Sequence, residues 1–153
     1  MFSFCIPTEF VFGSGSFKKL YQYRMPGKKA LIVTTNGGSV KRLGYLNELE
    51  KQLEKSDVSF EVFDGIEPNP ITDNIMAAAA KAKETNCDFV IGFGGGSPMD
   101  SAKLIALAAT NPGNIWDYCQ KGTGGRKQPE NTPLPVVNFQ RFPTLDAKKL
   151  VNA

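Results

Sequence analysis

Apolar residues in this chain come in short blocks separated by amphipathic stretches, and the two alternate. Ala30-Leu31-Ile32-Val33 is an uninterrupted apolar run that predicts a strand covered on both faces, from Lys29 to Thr34, and Asn36-Gly37-Gly38-Ser39 closes it with a turn. From Val40 to about Lys55, Leu43, Leu46, Leu49 and Leu53 recur at three- and four-residue spacing among charges, the pattern of a helix laid on a sheet. Val58 to Phe63 alternates and predicts the next strand; Asp64-Gly65, Pro68 and Pro70 then force a loop. Thr72-Asp73-Asn74 opens a helix running to Thr85, with Ile75, Met76, Ala79 and Ala82 inward. Phe89-Val90-Ile91 is a third buried strand, and a helix from Pro98 to about Thr110 turns Met99, Ala102, Ala106 and Ala109 to the sheet.

Three strand-plus-helix units imply an α/β fold, a Rossmann-like parallel sheet with helices on both faces. Phe2-Ser3-Phe4 and Glu9 to Phe12 are expected to pair as a β-hairpin at one edge, their aromatics in the core. Gly122 to Thr132 is glycine-rich and polar without Gly-Lys-Ser/Thr, and is expected as a flexible surface loop.

The junction between the third strand and its helix carries the clearest chemistry. Gly94-Gly95-Gly96 lets the backbone adopt positive φ and approach a ligand closely, while Ser97 fits an N-cap, Pro98 the first helical position and Asp100 the third. Free N–H groups at such a start attract an anion. Ser97 and Asp100 are equally an ordinary capping pair, and Lys103 stands where an i,i+3 pair with Asp100 forms. The common dinucleotide fingerprint is matched only in part: Ser97 replaces its third glycine, and no acid ends a strand about 20 residues on. Loops after parallel strands share one edge of the sheet, so Thr35 to Ser39, Glu67 to Pro70 and Gly94 to Ser97 can touch one extended ligand.

Composition narrows the class. With 153 residues, 41% of them apolar and 22% charged, one globular domain is expected. No apolar run approaches the ~20 residues of a membrane span, and the first residues lack signal-peptide character, so a cytoplasmic protein without a membrane partner is expected. A net charge of +3, without a basic cluster, argues against nucleic acid. Cys5, Cys87 and Cys119 are far apart and odd in number, which suggests buried free thiols. The chain has no histidine, which excludes a Ser-His-Asp triad, a Cys-His pair and any histidine-ligated metal built from its own residues.

The stretch from Gly94 to Lys103 resembles the glycine-rich signature of the iron-containing alcohol dehydrogenases, a group that includes butanol, propanediol and lactaldehyde dehydrogenases. The resemblance extends from Phe10-Val11-Phe12-Gly13-Ser14-Gly15-Ser16 through Lys29 to Thr34, Val40 to Gly44 and Pro68-Asn69-Pro70, and stops after Val137. It implies a nucleotide-binding domain over residues 1–137, an atypical tail over 138–153, and a chain truncated or frame-diverted after Val137. It also implies a nicotinamide dinucleotide site. Gly95, Gly96 and Ser97 would meet the pyrophosphate, Asp100 would help fix the cofactor, and Asn69 would lie near the adenosine half, although a structural turn accounts for Asn69 as well. Family members favouring NADH often carry an Asp after the first strand. Asn36, Gly37 and Ser39 stand there instead, followed by Lys41 and Arg42, so NADP is expected as the preferred nucleotide, with NAD as the other. The family interconverts small alcohols and aldehydes using iron or zinc held by an Asp and three His of a second, helical domain. This chain is thus expected to hold the cofactor-binding half, with no catalytic residue and no metal ligand of its own. Its alternatives are a stand-alone nucleotide-binding or regulatory module, a homo-oligomer or a partner of a full-length relative, and a non-functional fragment.

Overall fold

The computed structural model describes residues 8–36 and 38–140. Four strands, β1 (Lys29–Thr35), β2 (Ser59–Ile66), β3 (Phe89–Gly94) and β4 (Val136–Gln140), form one parallel sheet in the order β2-β1-β3-β4. The chain steps outward from β1 to β2, crosses back over β1 to β3, and continues to β4. The connections therefore diverge between β1 and β3, where open α/β sheets place their ligands.

Alternation along the central strands explains the layers. Ala30 and Ile32 of β1, with Phe89 and Ile91 of β3, pack with Leu46, Leu49 and Leu53 of helix α2 (Tyr45–Glu54). Leu31, Val33 and Val90 turn the other way, against Ile75, Ala78, Ala79 and Ala82 of α3 (Thr72–Glu84) and Ala102, Ile105 and Ala106 of α4 (Gly96–Thr110). The alanines let α3 and α4 lie side by side on one face. Phe17, Phe93 and Phe139 form an aromatic cluster on the α2 face, with ring centroids 5.6 to 6.0 Å apart, directly beneath the end of β3.

Several expectations need correction. The helix predicted from Val40 to Lys55 is two: α1 (Ser39–Arg42), then α2. Gly44, at φ 74°, breaks the ladder between them, and Leu43 is exposed instead of joining the leucine stripe. β2 runs to Ile66, so Asp64 and Gly65 belong to the strand and not to the loop. No strand forms over Glu9 to Phe12, and Phe10 and Phe12 are 79% and 99% exposed. Gly13 and Gly15, both at positive φ, turn the chain into a 3-10 segment, Ser16–Gln22, whose Leu20 enters the core while residues 8–12 stay outside it. The Phe2 arm of the expected hairpin, Cys5, Gly37 and the tail from Arg141 lie outside the described residues.

β4 extends to Gln140, three residues beyond Val137. The Gly122 to Thr132 loop is irregular but tied down. Buried Asn111 accepts from the Glu130 and Asn131 amides at 2.8 Å, and the Lys127 amide donates to the Asp117 carbonyl at 2.9 Å. Cys87 is buried and free, and burial pushes its thiol up; Cys119 is only partly covered. Among the described residues no helix is long and apolar enough to cross a membrane.

α4 rides on β3 at Gly92. A Cβ there would stand 2.4 Å from Asn138 Oδ1, 2.9 Å from Met99 Cα and 3.0 Å from Ala102 Cβ, and helix backbone cannot give way cheaply. Gly92→Ala is expected to destabilise the fold by about 1–3 kcal/mol, read as a lowered urea midpoint; an unchanged midpoint would contradict this seating.

Candidate functional site

The loops that follow β1, β2 and β3 meet at the carboxyl edge of the sheet. The Asn36 amide donates to the Ile66 carbonyl at 3.3 Å, which ties the loop after β1 to the end of β2. A Cβ on Gly94 would sit 3.8 Å from Val40 Cγ2, so the loops after β1 and β3 adjoin across the point where the connections diverge. Asn36 is exposed, and Ser39, the first residue of α1, is half-buried. Asn69 is exposed after β2 with φ 59°, a left-handed conformation uncommon outside glycine and held here between two prolines.

Helix α4 starts earlier than the sequence suggests. Gly94, at φ 142°, swings the chain over so that Gly95 is the N-cap and Gly96 the first helical residue. Ser97 is therefore inside the helix and caps nothing; no side chain caps α4 at all. Pro98 is buried at the third position, where a missing N–H is still harmless. Asp100 is exposed and pairs with Lys103 at 3.0 Å.

The glycines divide into two kinds. Gly92 and Gly94 serve the fold, one by close packing and the other by positive φ with Pro98 Cγ 3.0 Å from its Cβ position. Gly95 and Gly96 serve neither: their φ is not positive, and a Cβ on either would meet nothing within 4 Å. Both are exposed. The space beside them is open, at the uncapped start of a 15-residue helix whose first N–H groups have no partner within the helix. An anion fits there.

The charge argument changes at the other end of the site. Lys41 Nζ donates to Asp64 Oδ2 across the gap between α1 and β2, so one of the two basic residues that follow the loop after β1 is already paired. That hydrogen bond holds the Asp64 carboxyl below the ordinary carboxylate range, against partial burial. Arg42 is exposed and makes no ion pair among the described residues. Asp64 was missed because Asp-Gly reads as a turn; the alternation Phe60, Val62, Asp64 on one face was the signal that β2 continues.

A metal of the iron or zinc type does not fit these residues. The chain has no histidine, and among the described residues no three His, Cys, Asp or Glu side chains converge.

The family model for iron-containing alcohol dehydrogenase matches residues 7–142, five residues past where the sequence resemblance was placed. NADPH-dependent aldehyde reductase YqhD of Escherichia coli is 36% identical over 138 residues, covering 89% of this chain and 34% of the relative. NADH-dependent butanol dehydrogenase B of Clostridium acetobutylicum is 36% identical over 123 residues, covering 80% and 31%. Among solved structures, NADH-dependent butanol dehydrogenase A of Thermotoga maritima aligns with a TM-score of 0.78 at 32% identity, covering 90% of this chain and 34% of that one. The archaeal Red Sea brine pool alcohol dehydrogenase ADH/D1 aligns at 0.80, 32% identity, 92% and 36%. The chain thus spans about a third of the length of the relatives it matches.

Because nothing in the fold needs a glycine at 95, Gly95→Ala is expected to leave stability within about 0.5 kcal/mol of wild type or to raise it slightly in urea denaturation. A loss comparable to that of Gly92→Ala would mean that Gly95 is a packing residue.

Proposed function

The chain belongs to the iron-containing alcohol dehydrogenase family of oxidoreductases, and from that premise we propose that its carboxyl-edge cradle binds a nicotinamide dinucleotide. The reading rests on one observation above the others: Gly95 and Gly96 leave open space at an uncapped helix start without any structural need for glycine. Backbone N–H groups of Gly95, Gly96 and Ser97 receive the pyrophosphate, helped by the positive end of the α4 dipole. A side chain at either glycine would hold the diphosphate away from those donors. Asn36 and Ser39 border the adenosine ribose, Asn69 approaches the adenosine half, and Asp100, the fifth residue of α4, lies one turn into the helix.

When bound, the nicotinamide supplies a hydride acceptor or donor for alcohol and aldehyde interconversion. This chain's own part is to bind and orient. It has no histidine, and among the described residues no three His, Cys, Asp or Glu side chains converge, so we assign the alcohol or aldehyde chemistry to the longer architecture of its relatives and nucleotide binding to this chain. NADP(H) is the preferred form: the loop after β1 carries no carboxylate to repel a 2′-phosphate, and Arg42 is exposed next to it.

Titration of the full chain with NADPH and NADH, followed by nucleotide fluorescence, tests this. Both are expected to bind, NADPH the more tightly, and Gly95→Val is expected to weaken both by about tenfold or more, equivalent to at least about 1.4 kcal/mol. Tighter NADH would overturn the preference, and undiminished binding to Gly95→Val would overturn the cradle.

A further inference from the structure

Lys41 and Asp64 are the only oppositely charged side chains among the described residues that join the helix after β1 to the end of β2. Lys41 is the third residue of α1, two past Ser39, and Asp64 is two residues before the end of β2. Phe60 and Val62 pack on the α2 face, so the next residue of that alternation, Asp64, is turned toward α1. With the pyrophosphate at the start of α4, an extended dinucleotide runs its adenosine ribose toward the end of β1, the strand beside β3, where dinucleotide folds recognise the ribose 2′ position; Lys41 follows that end, and Asp64 reaches it from β2 on the other side of β1. The pair stands in that path, and both side chains remain partly open to solvent, at 39% and 49%.

We propose that Asp64 is a positioning residue for nucleotide choice: by holding Lys41 Nζ it withholds a cation from the 2′-phosphate and so narrows the preference for NADP over NAD. The inference rests on the nucleotide-binding reading above. Its physical content is competition. The ammonium of Lys41 has three donors, one of them spent on Asp64 Oδ2, and the net charge of the couple is zero. A 2′-phosphate carries negative charge into the same space. It must compete for the lysine with the carboxylate that already holds it, whereas a 2′-hydroxyl makes no such demand. The carboxyl, held ionised by the lysine, keeps this opposition in force through neutral pH. Replacing Asp64 by Asn keeps the shape and removes the charge, leaving Lys41 free to turn to the phosphate.

Affinities of the full chain for NADP⁺ and NAD⁺, measured by calorimetry at low salt for wild type, Asp64→Asn, Lys41→Gln and the double variant, test it. Asp64→Asn is expected to tighten NADP⁺ by about three- to fivefold, the scale of an exposed charge pair, with NAD⁺ within about twofold. Lys41→Gln is expected to weaken NADP⁺ selectively, and adding Asp64→Asn to it is expected to recover less than about half of that gain on a logarithmic scale. The gain shrinks as salt is raised. Equal movement of both nucleotides would assign the pair a structural role and overturn the proposal. The same gain in the Lys41→Gln background would show direct repulsion instead of action through the lysine, and would overturn it too. Wild type that binds neither nucleotide refutes the binding reading, and this inference with it; wild type that binds both while Asp64→Asn changes nothing refutes this inference alone.

Discussion

The seating of α4 on β3 at Gly92 sets the geometry of the whole carboxyl edge. A helix whose Met99 Cα lies within contact of a strand's missing side chain is closer than any larger residue would allow. At that separation the chain has almost no length in which to pass from strand to helix, and Gly94 makes the passage at φ 142°. The start of α4 is thereby brought directly over the end of β3, with Gly95 and Gly96 in the open. The aromatic cluster of Phe17, Phe93 and Phe139 supports the same strand end from the opposite face. Packing below and solvent above make the exposed start of α4 a consequence of the core, so the binding role proposed for Gly95 and Gly96 is separable from the packing role of Gly92.

The second half of the site is built by topology. β1 and β3 are adjacent although β2 comes between them in sequence, and the divergence of their connections opens a crevice between the two loops. β2 brings Asp64 to Lys41 on the far side of β1. One end of the crevice is thus defined by backbone donors and the other by a compensated pair of charges, an asymmetry suited to a ligand with a diphosphate in its middle and a variable substituent near one end.

Much of this was legible in the sequence. β1 and β3 are covered on both faces, so their unbroken apolar runs are unmistakable, and α3 and α4 follow from inward-facing alanines. What stayed hidden depended on contacts distant in the chain. Ser97 has the chemistry of a cap, but Gly94 turns the backbone early enough to carry Ser97 past the cap position. Leu43 and the leucines of α2 keep helical spacing across Gly44, where periodicity does not register a left-handed residue. The Phe10 to Phe12 segment has strand-like composition yet reaches neither edge of the sheet. The partner of Lys41 could not be read locally, because Asp64 is 23 residues away, at the end of a strand that the Asp-Gly pair cut short in the sequence reading.

The central claim is that backbone donors at Gly95, Gly96 and Ser97 receive a dinucleotide pyrophosphate. Backbone amide resonances of the isotopically labelled full chain, followed by NMR as NADP⁺ is added, test it most directly. The account predicts the largest shifts at the amides of Gly95, Gly96 and Ser97, with a second set at Asn36 and Ser39. Shifts confined to the opposite edge of the sheet, around the groove lined by Tyr21, Arg24 and Lys28, or no shifts at saturating nucleotide, would contradict it.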